Sequence, residues 1–203
     1  MPRKPSTPFG HLSFSKDGQV TRQVTKLSEV KPIQEREVMN IFQGQFNHDN
    51  HSRQISAIKD LPENDQDFIM TIDGRNVLVQ LTELSTFEYY VKISKDEYES
   101  GRWTSFALKD GETIPYAIDT NKMFNALQKV IEKKINKNYW KGNEEIWLLV
   151  FTTDSGYLTE YLEGGQRKES TGTKIAKDYV SKLDKNIFSE IWFTNLQTRP
   201  IKI

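Results

Sequence analysis

The chain has 203 residues, which suits one domain of ordinary size. Lysine plus arginine number 28 and aspartate plus glutamate 28, and 11% of residues are aromatic, too aromatic and too evenly charged for a disordered chain, although the 36% of apolar residues leave a core with little to spare. The longest apolar run, 146–151, is far too short for a membrane span or a signal-peptide core. The chain has no cysteine, which excludes disulfides, thiol catalysis and zinc–thiolate sites, so a cytoplasmic protein without membrane association is expected.

Neutrality is not uniform along the chain. Residues 1–59 carry nine basic and five acidic side chains, residues 60–120 five and thirteen, and residues 121–203 fourteen and ten. Between Lys122 and Lys141 six lysines face the single Glu132. Such an arrangement suits either a carboxylate cluster beside a phosphate-binding surface or solvated faces whose charges average out.

Residues 1–31, with Pro2, Pro5 and Pro8, predict an extended N-terminal arm with a short hairpin at Lys16-Asp17-Gly18-Gln19. The remainder, 32–203, is expected to be one α/β domain. Pro32 suits a first helical position, and Val38, Met39, Phe42 and Phe46 make a stripe, so a helix is predicted over 32–46. A polar loop is expected at 47–51. Strands are predicted over 54–59, 67–72 and 77–84, the last two joined by a turn at Asp73-Gly74. Residues 85–118 show no usable period. A second helix is predicted from Asp119 to about 138, a central strand over 145–153, a third helix over 173–183 and a last strand over 188–195. The fold class that follows is α/β, a single mixed β-sheet flanked by helices.

Polar side chains at positions assigned to a buried face carry the functional information. Asp67 opens an apolar strand, and Gln80 and Thr82 share one face of the next. A hairpin would bring Asp67 and Gln80 to one face with oxygens within about 6 Å, close enough to share a hydrated ion. On the second helix, at about 100° per residue, Lys134 falls only about 20° from Leu127, in the middle of the apolar stripe. A lysine so placed snorkels, finds a carboxylate or serves a site. On the first helix, Glu35 shares the stripe of Val38, Met39 and Phe42. It reads either as a site carboxylate or as a first-turn acid complementing the helix dipole.

The string Asp67-Phe68-Ile69-Met70, a short turn, then Val77-Leu78-Val79-Gln80-Leu81-Thr82 resembles the core hairpin of the restriction-endonuclease-like (PD-(D/E)XK) superfamily. The order helix, three strands, helix, strand resembles its αβββαβ core over residues 33–152. In that superfamily an aspartate starts the second core strand, and the third carries an acidic residue or glutamine, a spacer and a lysine. Gln80-Leu81-Thr82 looks like a divergent branch with threonine in place of the lysine, and the lysine-rich run 131–139 resembles the second helix of such branches.

The resemblance implies a magnesium-dependent phosphodiester hydrolase with a degenerate site: Asp67, Gln80 and Glu35 as metal ligands, and Asp67, Gln80, Thr82, Lys134 and Glu35 as catalytic residues. Lys133, Lys137 and Lys141 would contact nucleic acid. The departures have consequences. Glutamine ligates magnesium without adding charge. Threonine cannot stabilise developing negative charge, so Lys134 would replace the missing strand lysine and Glu35 the missing carboxylate. The alternative is an inactive module of the same fold that binds nucleic acid or a protein partner. Self-association into a homo-oligomer stays open.

Other motifs carry less. His48 and His51 flank a loop without a third ligand. Ser170-Thr171-Gly172-Thr173-Lys174 lacks the glycine spacing of a phosphate loop.

Overall fold

The computed structural model describes residues 9–14, 20–25, 27–28, 30–62, 66–84, 90–92, 106–107, 116–118, 120–137, 145–152, 160–163, 166–183, 187–196 and 198–203. Its elements in order are β1 (Phe9–Phe14), β2 (Val20–Thr25), α1 (Lys31–Asp49), β3 (Ile55–Asp60), β4 (Phe68–Ile72) and β5 (Arg75–Glu83). There follow β6 (Tyr90–Lys92), β7 (Phe106–Ala107), β8 (Tyr116–Ile118), α2 (Thr120–Ile135) and β9 (Glu145–Phe151). The chain ends with β10 (Glu160–Glu163), β11 (Gln166–Glu169), α3 (Thr171–Ser181), β12 (Glu190–Thr194) and β13 (Ile201–Lys202).

The centre is a six-stranded mixed sheet in the order β13-β12-β9-β5-β4-β3. β5, β9 and β12 run parallel, and β3, β4 and β13 are antiparallel to their neighbours. The fold is therefore α/β with one mixed sheet between helices. Three small sheets accompany it: β1-β2, β10-β11 and β6-β8-β7.

Period-two alternation assigns each face its own core. On one side Val77, Val79, Leu81, Phe68, Met70, Trp147 and Leu149 pack against Val38, Met39, Phe42 and Phe46 of α1. On the other, Ile146, Leu148, Val150, Ile191 and Phe193 pack against Ala126, Leu127 and Ile131 of α2 and Ala176 of α3. Strands covered on both faces read as near-continuous apolar runs, and β9 is one. Leu27 is buried within the α1-side core.

Helix α1 runs a turn beyond the expected end at Phe46, through the predicted loop as far as Asp49. The reason lies in Asn47. Its amide donates to Ile55 O at 3.0 Å and accepts from Ile55 N at 2.7 Å, so the polar residue ties the helix end to the start of β3. The aromatic rings of Phe46, Trp147 and Trp192 meet with centroids 5.2–6.0 Å apart. Arg53 lies over Trp147 at 4.9 Å and donates to the Glu190 carboxylate at 3.0 Å. Burial pushes the Glu190 carboxyl up, but hydrogen bonds from Lys202, Trp192 and Arg53 outweigh it and hold it below its usual range. This cluster lies at the start of β12.

The β4–β5 hairpin sets the register on which the site depends. Asp73 and Gly74 both take positive φ, 50° and 78°, the two-residue turn with the strand-matching twist. Arg75 and Asn76 belong to β5 and do not lengthen the turn, since Ile72 pairs with Arg75 and Phe68 with Val79. A β-carbon at Gly74 would meet nothing within 4 Å, so the positive φ alone penalises substitution. Gly74→Ala is expected to destabilise the protein by about 1–2 kcal/mol without changing the urea m-value, as equilibrium urea denaturation would show.

Candidate functional site

One more step of the hairpin register brings Asp67 opposite Gln80. Asp67 N donates to Val79 O at 3.0 Å, and Leu81 N donates to Asp67 Oδ2 at 2.6 Å. The carboxylate is thus pinned by a backbone amide of the facing strand rather than turned back on its own chain. Because Phe68 and Val79 face α1, Asp67 and Gln80 face the α2 side, the side of Leu148 and Val150.

α2 delivers the third group. Its buried residues Ala126, Leu127 and Ile131 fix its rotation, and Lys134 follows one turn after them. The Lys134 ammonium donates to Gln80 Oε1 at 2.9 Å and lies 3.9 Å from Asp67 Oδ2. Only 14% of the Lys134 side chain is exposed, against 28% for Asp67. Burial holds the Lys134 ammonium below the usual lysine range; the Asp67 and Glu35 carboxylates oppose that shift, while Lys137 and Lys31 reinforce it. Carboxylate, amide oxygen and ammonium therefore come from β4's entrance, β5 and α2, and converge on one sheet face.

Glu35 enters from α1. Its half-buried carboxylate lies 3.5 Å from Lys31 Nζ and contributes to the field at Lys134, so it belongs to the neighbourhood of the cluster. Thr82 follows Gln80 on the same face, half-buried, paired in register with Val150. Lys133 and Lys137 are exposed, as are Lys122 and Lys129. Lys141 lies outside the described residues. The two histidines form no centre with each other: His48 is exposed and pairs with the neighbouring Asp49 at 3.1 Å, and His51 is exposed. Ser170 caps α3 by accepting from Thr173 N, a structural role for that string.

Gln66 is the residue that sequence reasoning missed. It is as buried as Gln80, each at 2% exposure, and its Oε1 accepts from Gln80 Nε2 at 3.0 Å. No period marks it, because it lies outside the strand, two residues before β4; a polar pair, Gln66-Asp67, at the mouth of an apolar strand was the available signal. Among the described residues, two buried side-chain donors lack a hydrogen-bond partner, Arg36 Nη1 and Gln66 Nε2. Arg36 Nη1 at least lies 3.7 Å from Asp60 Oδ2.

No group of three or more His, Cys, Asp or Glu side chains that could hold a metal occurs among the described residues. The donors collected here are one carboxylate and one amide oxygen. No protein-family model matches the chain, and neither a curated protein nor a solved structure matches it significantly.

The lowered proton affinity of Lys134 has a thermodynamic consequence. The unfolded chain binds the lysine proton more tightly than the fold does between the lowered value and the ordinary 10.5. Stability contributed at this residue therefore rises with pH across that window. The unfolding free energy of the wild type minus that of Lys134→Met is expected to increase from neutral pH toward pH 10.5, read by urea denaturation at successive pH values. A difference that stays flat or falls would contradict the burial of a charged ammonium.

Proposed function

We propose that this chain is a divergent nuclease-like protein that engages nucleic-acid phosphodiesters at Asp67, Gln80 and Lys134, on a fold of the restriction-endonuclease-like kind. The observation that carries the reading is the placement of the Lys134 ammonium 2.9 Å from Gln80 Oε1 and 3.9 Å from Asp67 Oδ2. The order α1-β3-β4-β5-α2-β9, with the β6–β8 sheet inserted before α2, supports it.

The donors fit a magnesium ion of the weakly held kind. Two oxygens of different chemistry already gather around one positive charge, the ammonium standing in for a metal cation. Magnesium typically takes one or two protein carboxylates and completes its shell with water and substrate phosphate. Asp67 and Gln80 would hold it, with Glu35 as the second carboxylate in reach of the same field. When bound, the ion would polarise the phosphoryl oxygens and acidify a water.

The chain's own groups do the rest. Leu81 N–H fixes the Asp67 carboxylate through Oδ2, the oxygen that also lies nearest the ammonium. Lys134 replaces the strand lysine whose place Thr82 takes, and sets its charge against the phosphate's non-bridging oxygens. Lys133, exposed on α2, and Lys137, exposed two residues beyond its end, would hold flanking phosphates. A cytoplasmic setting fits the absence of cysteine.

A second reading, a binding module without hydrolysis, is favoured by one observation: the ammonium already occupies the amide oxygen that a metal would need. Both readings require phosphodiester binding and differ in cleavage.

Fluorescence anisotropy with duplex DNA and with RNA at low salt is expected to show binding. The log–log salt slope on duplex DNA should be on the order of −3 if about three phosphates are contacted. Lys133→Glu with Lys137→Glu should weaken all sequences alike, since phosphate contacts carry no base information. Nicking of supercoiled DNA in Mg²⁺ or Mn²⁺, lost in Asp67→Asn, would establish hydrolysis. Binding without nicking favours the module. Absence of binding with or without divalent ions would sink both and leave a protein partner.

A further inference from the structure

One donor beside Asp67 is left over once the amides there are oriented. An ammonium has no acceptor capacity, so the Gln80 atom 2.9 Å from Lys134 is the oxygen, whatever else Gln80 contacts. The nitrogen of that amide donates to Gln66 at 3.0 Å, so the Gln66 atom receiving it is again an oxygen. The other polar atom of the Gln66 side chain, Nε2, is buried and has no hydrogen-bond partner among the described residues. Rotating the Gln66 amide would set two donors face to face.

A buried donor without a partner is rare in folded proteins and works against stability. Gln66 is only 2% exposed, so bulk water does not meet its demand. A donor takes no cation; it needs an acceptor, and the surroundings select which kind. Around this cluster the ammonium groups of Lys134, Lys31 and Lys137 stand against two carboxylates, Asp67 and Glu35, an excess of positive charge that favours an anion. The cluster reaches the surface through Lys134 and Asp67, whose side chains are 14% and 28% exposed. An acceptor arriving there has to project from its molecule as a single terminal atom. A non-bridging phosphate oxygen is terminal, charged and free of protons.

We infer that Gln66 is a ligand-contacting residue: its Nε2 donates to a non-bridging phosphate oxygen of the ligand bound beside Asp67 and Lys134. The inference rests on the phosphodiester reading above and adds a neutral donor to it, with no metal required. Glutamate at this position keeps the oxygen that faces Gln80 and turns the idle donor into a negative oxygen. Methionine removes the donor without adding charge.

The test is NMR on the full chain with nitrogen-15 in the glutamine side chains, the Gln66 signal being assigned by its loss in Gln66→Glu. Adding a short DNA duplex, or inorganic phosphate as the bare oxyanion, is expected to move the Gln66 Nε2–H signals downfield. In anisotropy titrations with the duplex, Gln66→Met is expected to bind about tenfold more weakly, the size of a lost hydrogen bond to a charged group. Its log–log salt slope should stay that of the wild type, because no cation has been removed. Gln66→Glu is expected to bind more weakly still. A wild-type Gln66 signal that stays in place while the duplex binds overturns the inference and leaves the phosphodiester reading standing, even if the variants fail to fold. Folded variants that bind within about twofold of the wild type do the same. A downfield shift with phosphate and no duplex binding supports the Gln66 contact and counts against nucleic acid as the ligand. If neither the duplex nor phosphate moves the signal and neither binds, both fall.

Discussion

The hydrogen bond from the buried Lys134 ammonium to Gln80 Oε1 is the interaction on which the site depends. A lysine at this depth loses hydration that a bare apolar surface would not return, so it needs acceptors placed for it. Gln80 supplies a direct one and Asp67 a carboxylate at 3.9 Å. Because the ammonium only donates, it dictates which end of the Gln80 amide faces inward and, one residue further, which end of Gln66 does. A single charge thus sets the orientation of two amide side chains.

The fold makes that meeting possible through three separate devices. The two-residue turn at Asp73-Gly74 fixes the β4–β5 register, and a slip of one residue would send Gln80 to the α1 face. The central strands β5 and β9 are covered on both sides, so a polar residue between them cannot reach bulk water and must be satisfied locally. The apolar stripe of α2 then sets the helix rotation, and Lys134 arrives over Gln80 as a result. Glu35 and Lys31, at the start of α1, add their charges to the field at the ammonium. The Arg53–Glu190 cluster lies apart from the site, joining the segment before β3 to the start of β12.

Much of this was legible in the residues, and the part that was not has physical causes. The Asp-Gly pair between alternating strands announced the hairpin, and the hairpin announced that Asp67 and Gln80 share a face. The phase of Lys134 relative to Leu127 and Ile131 announced a lysine turned toward the sheet. Both signals are local and periodic. Gln66 had neither property: it is buried outside any strand or helix, and its partner lies 14 residues away. The extension of α1 to Asp49 rested on the side-chain bridge from Asn47 to Ile55, which no helical period encodes. Strands of two or three residues such as β6, β7 and β13 are too short to carry a period, and pairing with distant strands defines them.

The central claim is that the Lys134 ammonium and the Gln80 amide are energetically coupled, not merely adjacent. A double-mutant cycle in unfolding free energy, with Lys134→Met, Gln80→Met and the double variant, measures this directly. The account predicts a coupling of about 1.5–3 kcal/mol, the range for hydrogen bonds to charged groups, with the double variant less destabilised than the single effects would sum to. Additive single effects, with coupling near zero, would contradict it.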